Sequence, residues 1–302
     1  MAPEPGPKDA RPDPRQCFAR PDLAHHALRG LVSASAYTEA GTRMVSAPLL
    51  DMRAEPDSTA TLDSQLVWGE RVAVAEQRDG WAWVQSATDA RVGYVQASGL
   101  ADDGTAATHR VCAPGAHVYA EPAVKSAMLA RLPAPARVAV VEEVSADGTT
   151  APFVRLADGA GFMPLSALAP LPEMVEDWVS EAQAYIGTPY LWGGRSSQGI
   201  DCSALIQVAM AAAGMACLRD SDQQEAAGWP VLPPDEDARR GDLVFWRGHV
   251  GVMVDTAHLL HANAFHMSTV MEPLVKVARR IEDADGGPIT TTRRPSCAKL
   301  DP

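Results

Sequence analysis

The sequence predicts an α+β protein in which two small β-barrels precede a mixed helix-and-sheet domain. Three observations predict it. Residues 43–170 carry short strands that alternate apolar and polar side chains, with turn residues at about every eight to twelve positions. Two helical stripes follow. Three strands come after the helices, without the strand–helix alternation of a parallel sheet. The 302 residues suffice for two or three domains, and an apolar share of 46% supports an ordinary core.

Residues 1–42 are a leader, expected to include a short helix over 23–36 because Ala24, Leu28 and Leu31 recur at helical spacing. The first barrel spans 43–102. Its strands lie in the stretches 65–74, 80–85 and 92–95. The second spans 109–170 and repeats the plan more loosely: Val92-Gly93-Tyr94-Val95 in one is answered by Ala160-Gly161-Phe162-Met163 in the other. Residues 170–172 are the linker. The third domain, 173–302, opens with a helix over 173–186, with Val175, Trp178, Val179, Ala182 and Ile186 on one stripe, Pro172 near its first turn and Gly187 past its end. After a loop at 188–195, a second helix is expected over 202–215. Leu205, Val208, Ala209 and Ala212 face inward and Gly214 marks its stop. Strands follow at 242–246, 249–254 and 259–264.

The net charge of −12 argues against nucleic acid or an anionic membrane surface as partner. Residues 1–20 show neither an apolar core segment nor a small-residue cleavage site, so no secretory signal is expected. The uncharged stretch 203–218, sixteen residues, suits a buried helix better than a membrane span. Five cysteines, at 17, 112, 202, 217 and 297, are odd in number and unpaired in spacing. That fits a reducing compartment, so the cytoplasm is the expected location.

A cysteine nucleophile needs a lowered thiol pKa, an imidazole and a group that orients the imidazole. Cys202 is expected in the first turn of its helix, with Asp201 as N-cap. The N–H groups and positive dipole end there favour a thiolate and an oxyanion. Cys217, late on the same segment, reads as a core residue. His249 opens one strand and His261 lies in the next. A tight turn centred on Asp255 would set 249 opposite 261, giving a base and its orienter. His258 and His266 read as unrelated polar strand residues. Cys202, His249 and His261 could also bind zinc, but no Cys-x-x-Cys or carboxylate completes a set, and no metal is expected.

Taken together, Thr188 to Gly194, Asp201-Cys202-Ser203-Ala204-Leu205, Arg219 to Gln224, Gly241 to Trp246, His249-Val250-Gly251 and Leu260-His261-Ala262-Asn263 resemble the NlpC family of papain-like cysteine peptidases, over about residues 173–275. The two upstream barrels resemble bacterial SH3-like domains. The resemblance implies cleavage of the γ-D-glutamyl to diamino-acid bond of murein tri- or tetrapeptides, without a cofactor. It implies Cys202 as nucleophile, His249 as base and His261 as third polar residue. Members with this SH3-like arrangement require a free N-terminal L-Ala. By that likeness Glu70 is the acidic and Tyr94 the aromatic residue that the first barrel contributes. Asp220 and Ser221 hold the ammonium with Glu70, Tyr190 and Trp192 wall the pocket, and Asp201 and Ser203 flank the nucleophile. Two departures stand out: Ala204 where glycine is usual, and Arg91-Val92 where an aromatic often precedes the Gly-Tyr pair. A role inside the cell, in recycling of murein peptides, is the expectation. The alternatives are a non-catalytic wall-peptide-binding protein and an acyltransferase or amidase on the same fold.

Overall fold

In the computed structural model of the chain, residues 13–172, 174–233 and 235–295 are described. The remaining positions, among them Cys297, Glu173 and the first twelve residues of the leader, lie outside them.

Alternation of apolar and polar residues produces the first β-unit. One antiparallel seven-stranded sheet runs in the order Leu62–Val67, Leu49–Arg53, Val92–Gln96, Trp81–Ser86, Arg71–Arg78, Gly41–Val45 and Leu100–Asp102. Its curl buries Val45, Met52, Leu66, Val72, Val84 and Val95. Arg78 pairs with Trp81, leaving Asp79-Gly80 as a two-residue turn, and both take positive φ (51° and 82°). Asp-Gly adopts that primed turn at little strain, and its twist matches the strands it joins. The second unit has a three-stranded and a five-stranded sheet around Val111, Val118, Leu132, Val154 and Met163. Val67 of the first unit is buried in this core too, so the two units share apolar packing. The paired glycines of the repeated motif have a steric reason. A Cβ on Gly93 would meet Met52 Cγ at 2.5 Å, and one on Gly161 would meet the Tyr119 carbonyl oxygen at 2.5 Å.

The third region is a sheet between helices. Its strands, all antiparallel, run in the order Ser268–Pro273, His258–Asn263, His249–Met253, Leu243–Trp246 and Thr291–Arg293. On one face α1 (Trp178–Gln183) and α2 (Cys202–Ala212) pack against Leu243, Phe245, Val252 and Leu260. On the other, α4 (Leu274–Asp283) covers Val244, Trp246, Met253 and Leu259 through Val277. A further short helix, α3, is Ser221–Glu225. Ten of the eleven residues of α2 are buried, as an apolar helix held on all sides requires. No helix among the described residues is long and apolar enough to cross a membrane.

Two expected helices are corrected. Residues 23–36 hold a strand (Leu23–His25), a single 3-10 turn (His26–Leu28) and the start of a second strand (Ala36–Thr38) parallel to the first. Only Ala24 of the supposed stripe is buried, Leu31 is 76% exposed, and Gly30 at φ 85° breaks the segment. Without a face to bury, helical spacing alone does not stabilise so short a helix. The helix expected over 173–186 is only α1, capped by the Asp177 side chain on Val179 N. Ile186 is exposed rather than on the packed stripe, and Pro172 lies well before the first turn.

Candidate active site

Asp201 starts α2 as expected: its Oδ1 accepts from Ala204 N at 2.8 Å. Cys202 is thereby the first helical residue, and it is 7% exposed. Asp201 is itself held by Arg219, whose Nη1 and Nη2 lie 3.0 and 2.6 Å from its two oxygens, and by Gly193 N at 3.0 Å. The Gly193-Gly194 pair is forced by closeness. Gly193 has φ 75° and a Cβ there would meet the Leu62 carbonyl oxygen at 2.5 Å, while one on Gly194 would meet the Gly199 carbonyl oxygen at 2.6 Å. Arg219 also donates to Ser203 Oγ at 3.1 Å and to Ser64 Oγ of the first β-unit at 3.0 Å. The N-cap of the cysteine helix is thus tied across the unit boundary. Breaking the buried Arg219–Asp201 pair leaves an unpaired charge, at about 3–5 kcal/mol.

His249 and His261 meet: Nε2 of the first lies 2.8 Å from Nδ1 of the second. The expected register is corrected. Val252 pairs with Leu260 and Met253 with Leu259, so continuing the ladder sets His261 across from Gly251 rather than His249. The shift is two residues, which preserves the face on which a side chain projects. The imidazoles are therefore diagonal neighbours, within reach of ring side chains. Gly251 carries no side chain at this point because Leu259 fills the position: a Cβ there would meet Leu259 Cδ2 at 2.7 Å. His261 continues to Glu272 Oε1 at 3.1 Å, and Glu272 is held by both Nη atoms of Arg280. His266, expected to be unrelated, joins this cluster with Nε2 3.1 Å from Glu272 Oε1, whereas His258 binds only Asp255 in the turn. Among the described residues no group of three or more His, Cys, Asp or Glu side chains is placed to hold a metal ion.

The Val250 and Ser203 backbone N–H groups favour the Cys202 thiolate, so the sulfur sits beside the start of the His249 strand. No hydrogen bond joins Sγ to the His249 ring. The expected lowering of the thiol pKa is not found. Burial, reinforced by the Asp201 carboxylate, pushes the thiol up to about 12. Burial, with the His261 and Arg280 neighbours, pulls His249 down to about 3. Desolvation outweighs the helix-end contribution, and the resting pair is thiol and neutral imidazole. Such a pair can still act by general base catalysis, the proton leaving sulfur as it attacks.

Cys202 opens into a cavity of about 360 Å³. Tyr190 and Trp192 line it, Trp192 at the rim with 63% exposure, and Asp201, Ser203, Asp220 and Ser221 line it as expected. Glu70 does not. It is 2% exposed, pairs with the equally buried Arg195, and accepts from Val67 N at 3.0 Å and Thr88 Oγ1 at 2.9 Å. Three of its about four acceptor sites are used within the protein, and its burial keeps it out of the cavity. Tyr94 does not line it either. Its hydroxyl accepts from Arg20 at 2.9 Å, and with Trp83 it lines neighbouring cavities, one of which also reaches Arg15, Asp63 and Arg91. That unit instead sends Asp63 and Arg91 into the cavity, and the segment after residue 12 adds Arg15. Arg91 Nη1 and Arg15 Nη1 lie 2.6 and 2.9 Å from Asp220 Oδ2. Asp63 is 3.9 Å from Arg91 and accepts no hydrogen bond among the described residues, and burial raises its pKa. Nothing in the local pattern around Asp63 marks it. For Arg91 the signal is its departure from the usual aromatic.

Residues 187–278 match the model of the NlpC/P60 family, and residues 52–100 match that of the bacterial dipeptidyl-peptidase SH3 domain. Dipeptidyl-peptidase 6 of Lysinibacillus sphaericus is 31% identical over 238 residues, covering 73% of this chain and 87% of that protein. The chain belongs to the NlpC/P60 family. As a member it is a cysteine peptidase with a papain-like catalytic domain behind an SH3-like domain, in a family of peptidoglycan endopeptidases. A γ-D-glutamyl-L-lysine dipeptidyl-peptidase of Bacillus cereus is 24% identical over 239 residues, 70% of this chain and 71% of that one. A crystal structure of an NlpC/P60 family protein from Bacillus cereus superposes with a TM-score of 0.69, covering 84% of this chain and 99% of that chain. Its identity of 18% makes this a likeness of fold.

Proposed function

We propose that this NlpC/P60 peptidase hydrolyses the bond between γ-D-glutamate and the diamino acid of short murein peptides bearing a free N-terminal L-Ala. Cys202 Sγ attacks the γ-glutamyl carbonyl and passes its proton to His249. His249, oriented by His261, protonates the leaving amine. Water then releases the acyl group, with His249 taking its proton. The one observation that carries the substrate reading is Asp63. It is a carboxylate in the same cavity as Cys202 that accepts no hydrogen bond among the described residues, lies 3.9 Å from Arg91, and has a pKa raised by burial. Such a group gains most from an incoming cation, and a terminal ammonium supplies one. Asp63 takes the role expected of Glu70, and Asp220 and Ser221 stand beside it. The names of the Lysinibacillus and Bacillus cereus relatives, which describe dipeptidyl-peptidases, support the same reading. A cavity of about 360 Å³ suits a released peptide better than the intact wall. The unpaired Cys17, Cys112 and Cys217 fit recycling in a reducing cytoplasm.

The test compares L-Ala-γ-D-Glu-diaminopimelate with its N-acetylated form. The account expects cleavage of the free amine only, and a KM raised by about tenfold or more in Asp63→Asn, from loss of a charged hydrogen bond of about 1.5–3 kcal/mol. Equal cleavage of both peptides by the unmodified chain would contradict it.

A further inference from the structure

We propose that Glu272 is a positioning residue that, acting through His261, fixes the proton of His249 on Nε2 and leaves Nδ1 as the atom that receives the thiol proton. The inference rests on His249 as base but not on the identity of the peptide.

Glu272 lies on strand Ser268–Pro273, across from Leu259. Arg280 of α4 grips it with Nη1 at 2.8 Å and Nη2 at 2.7 Å, and Arg280 is itself stacked on Phe265 at 4.4 Å. The guanidinium holds the carboxyl down at about 2, so Glu272 is ionised at neutral pH. An ionised carboxylate only accepts hydrogen bonds. Its Oε1 lies 3.1 Å from His261 Nε2, which must therefore carry a hydrogen.

One neighbour opposes this. Asn263 Nδ2, a donor, also lies 3.1 Å from His261 Nε2. Its amide orientation is set, because Oδ1 accepts from His266 N at 2.9 Å. A bare Nε2 would suit Asn263 but would set a lone pair against a carboxylate. The charge-assisted bond is the stronger of the two, so Glu272 prevails. A neutral imidazole has one N–H, so His261 Nδ1 is an acceptor. His249 Nε2, 2.8 Å away, must donate to it. The lone pair of His249 is thereby on Nδ1.

The charged and titratable groups around the two rings, besides the rings themselves, are Glu272, Arg280 and His266, the last on the same carboxylate. Of these only Glu272 is in hydrogen-bond contact with His261 as an anion. The chain of bonds was not legible beforehand because Glu272 and Arg280 lie after the last motif that carries the family resemblance, Leu260 to Asn263.

The experiment is imidazole ¹⁵N–¹H correlation spectroscopy of the labelled full chain at pH 7, paired with kinetics of Glu272→Gln and Glu272→Asp. The unmodified chain is expected to show Nε2–H on both His249 and His261 and a bare Nδ1 on His249. Glu272→Gln is expected to give mixed tautomers and a kcat lower on the order of 10- to 100-fold with KM unchanged, the size typical when a partner of a functional histidine is lost. Glu272→Asp, which keeps the charge, is expected to recover part of both. A proton on His261 Nδ1 in the unmodified chain would overturn the proposal, as would a Glu272→Gln enzyme with unaltered kcat. The spectrum of the unmodified chain decides even where a variant does not fold, and it needs no substrate, so failure of the substrate reading is a separate result.

Discussion

Cys202 and His249 each lie where burial favours the uncharged form, the thiol pushed up to about 12 and the imidazole pulled down to about 3. Two neutral groups in a desolvated cleft store no thiolate at rest. The nucleophile is instead generated during attack, when the tetrahedral oxyanion can be met by backbone N–H groups at the start of α2. The pH dependence of thiol modification follows. Alkylation of Cys202 by iodoacetamide should be slow at pH 6 and climb continuously through pH 9, because the thiolate fraction rises tenfold per unit below its pKa. A rate that levels off below pH 7 would show a preformed thiolate–imidazolium pair. Much of the residue-level chemistry was legible: Asp201 before Cys202 reads as a cap, and it caps. What was not legible is desolvation, which depends on residues far away in sequence closing over the sulfur.

At the scale of elements, the cysteine helix and the histidine hairpin were foreseeable from apolar spacing and from turn residues, and both formed. The hairpin register was misjudged because the turn was centred on Asp255. Asp255 instead accepts from Ala257 N and His258 N, both at 2.7 Å, and the reversal sits one residue later. Moving the centre by one residue moves the register by two, so both histidines kept their face and still met. The helix expected over 23–36 failed for the opposite reason. Its spacing was right but no partner surface lies beneath Leu31, and tertiary burial decides short helices. Asp63 was missed because its strand, Leu62–Val67, gives no hint of which unit it faces. Its neighbour Leu62 packs with its carbonyl oxygen 2.5 Å from where a Cβ on Gly193 would sit, and Asp63 lines the cleft.

Across the whole molecule, two buried arginines join the first β-unit to the catalytic region. Arg219 reaches Ser64, and Arg195 donates to the Gln65 carbonyl oxygen at 2.8 Å while pairing with Glu70. Glu70 is thus a structural counter-ion rather than a substrate contact. Glu70→Ala should destabilise the fold by about 3–5 kcal/mol, the usual effect of leaving a buried charge unpaired, while enzyme that remains folded keeps its preference for a free amine. Urea unfolding beside KM measurements checks both; a stable variant that accepts N-acetylated peptide would return Glu70 to the pocket. The cleft is consequently a property of the assembled chain, with Cys202 from one unit and Asp63 from another. The most direct measurement of the central claim is intact-mass analysis of the full chain quenched during turnover of L-Ala-γ-D-Glu-diaminopimelate. An acyl adduct of the L-Ala-γ-D-Glu fragment on Cys202, absent in Cys202→Ala along with product, is the predicted result. Product formation that persists in Cys202→Ala would contradict it.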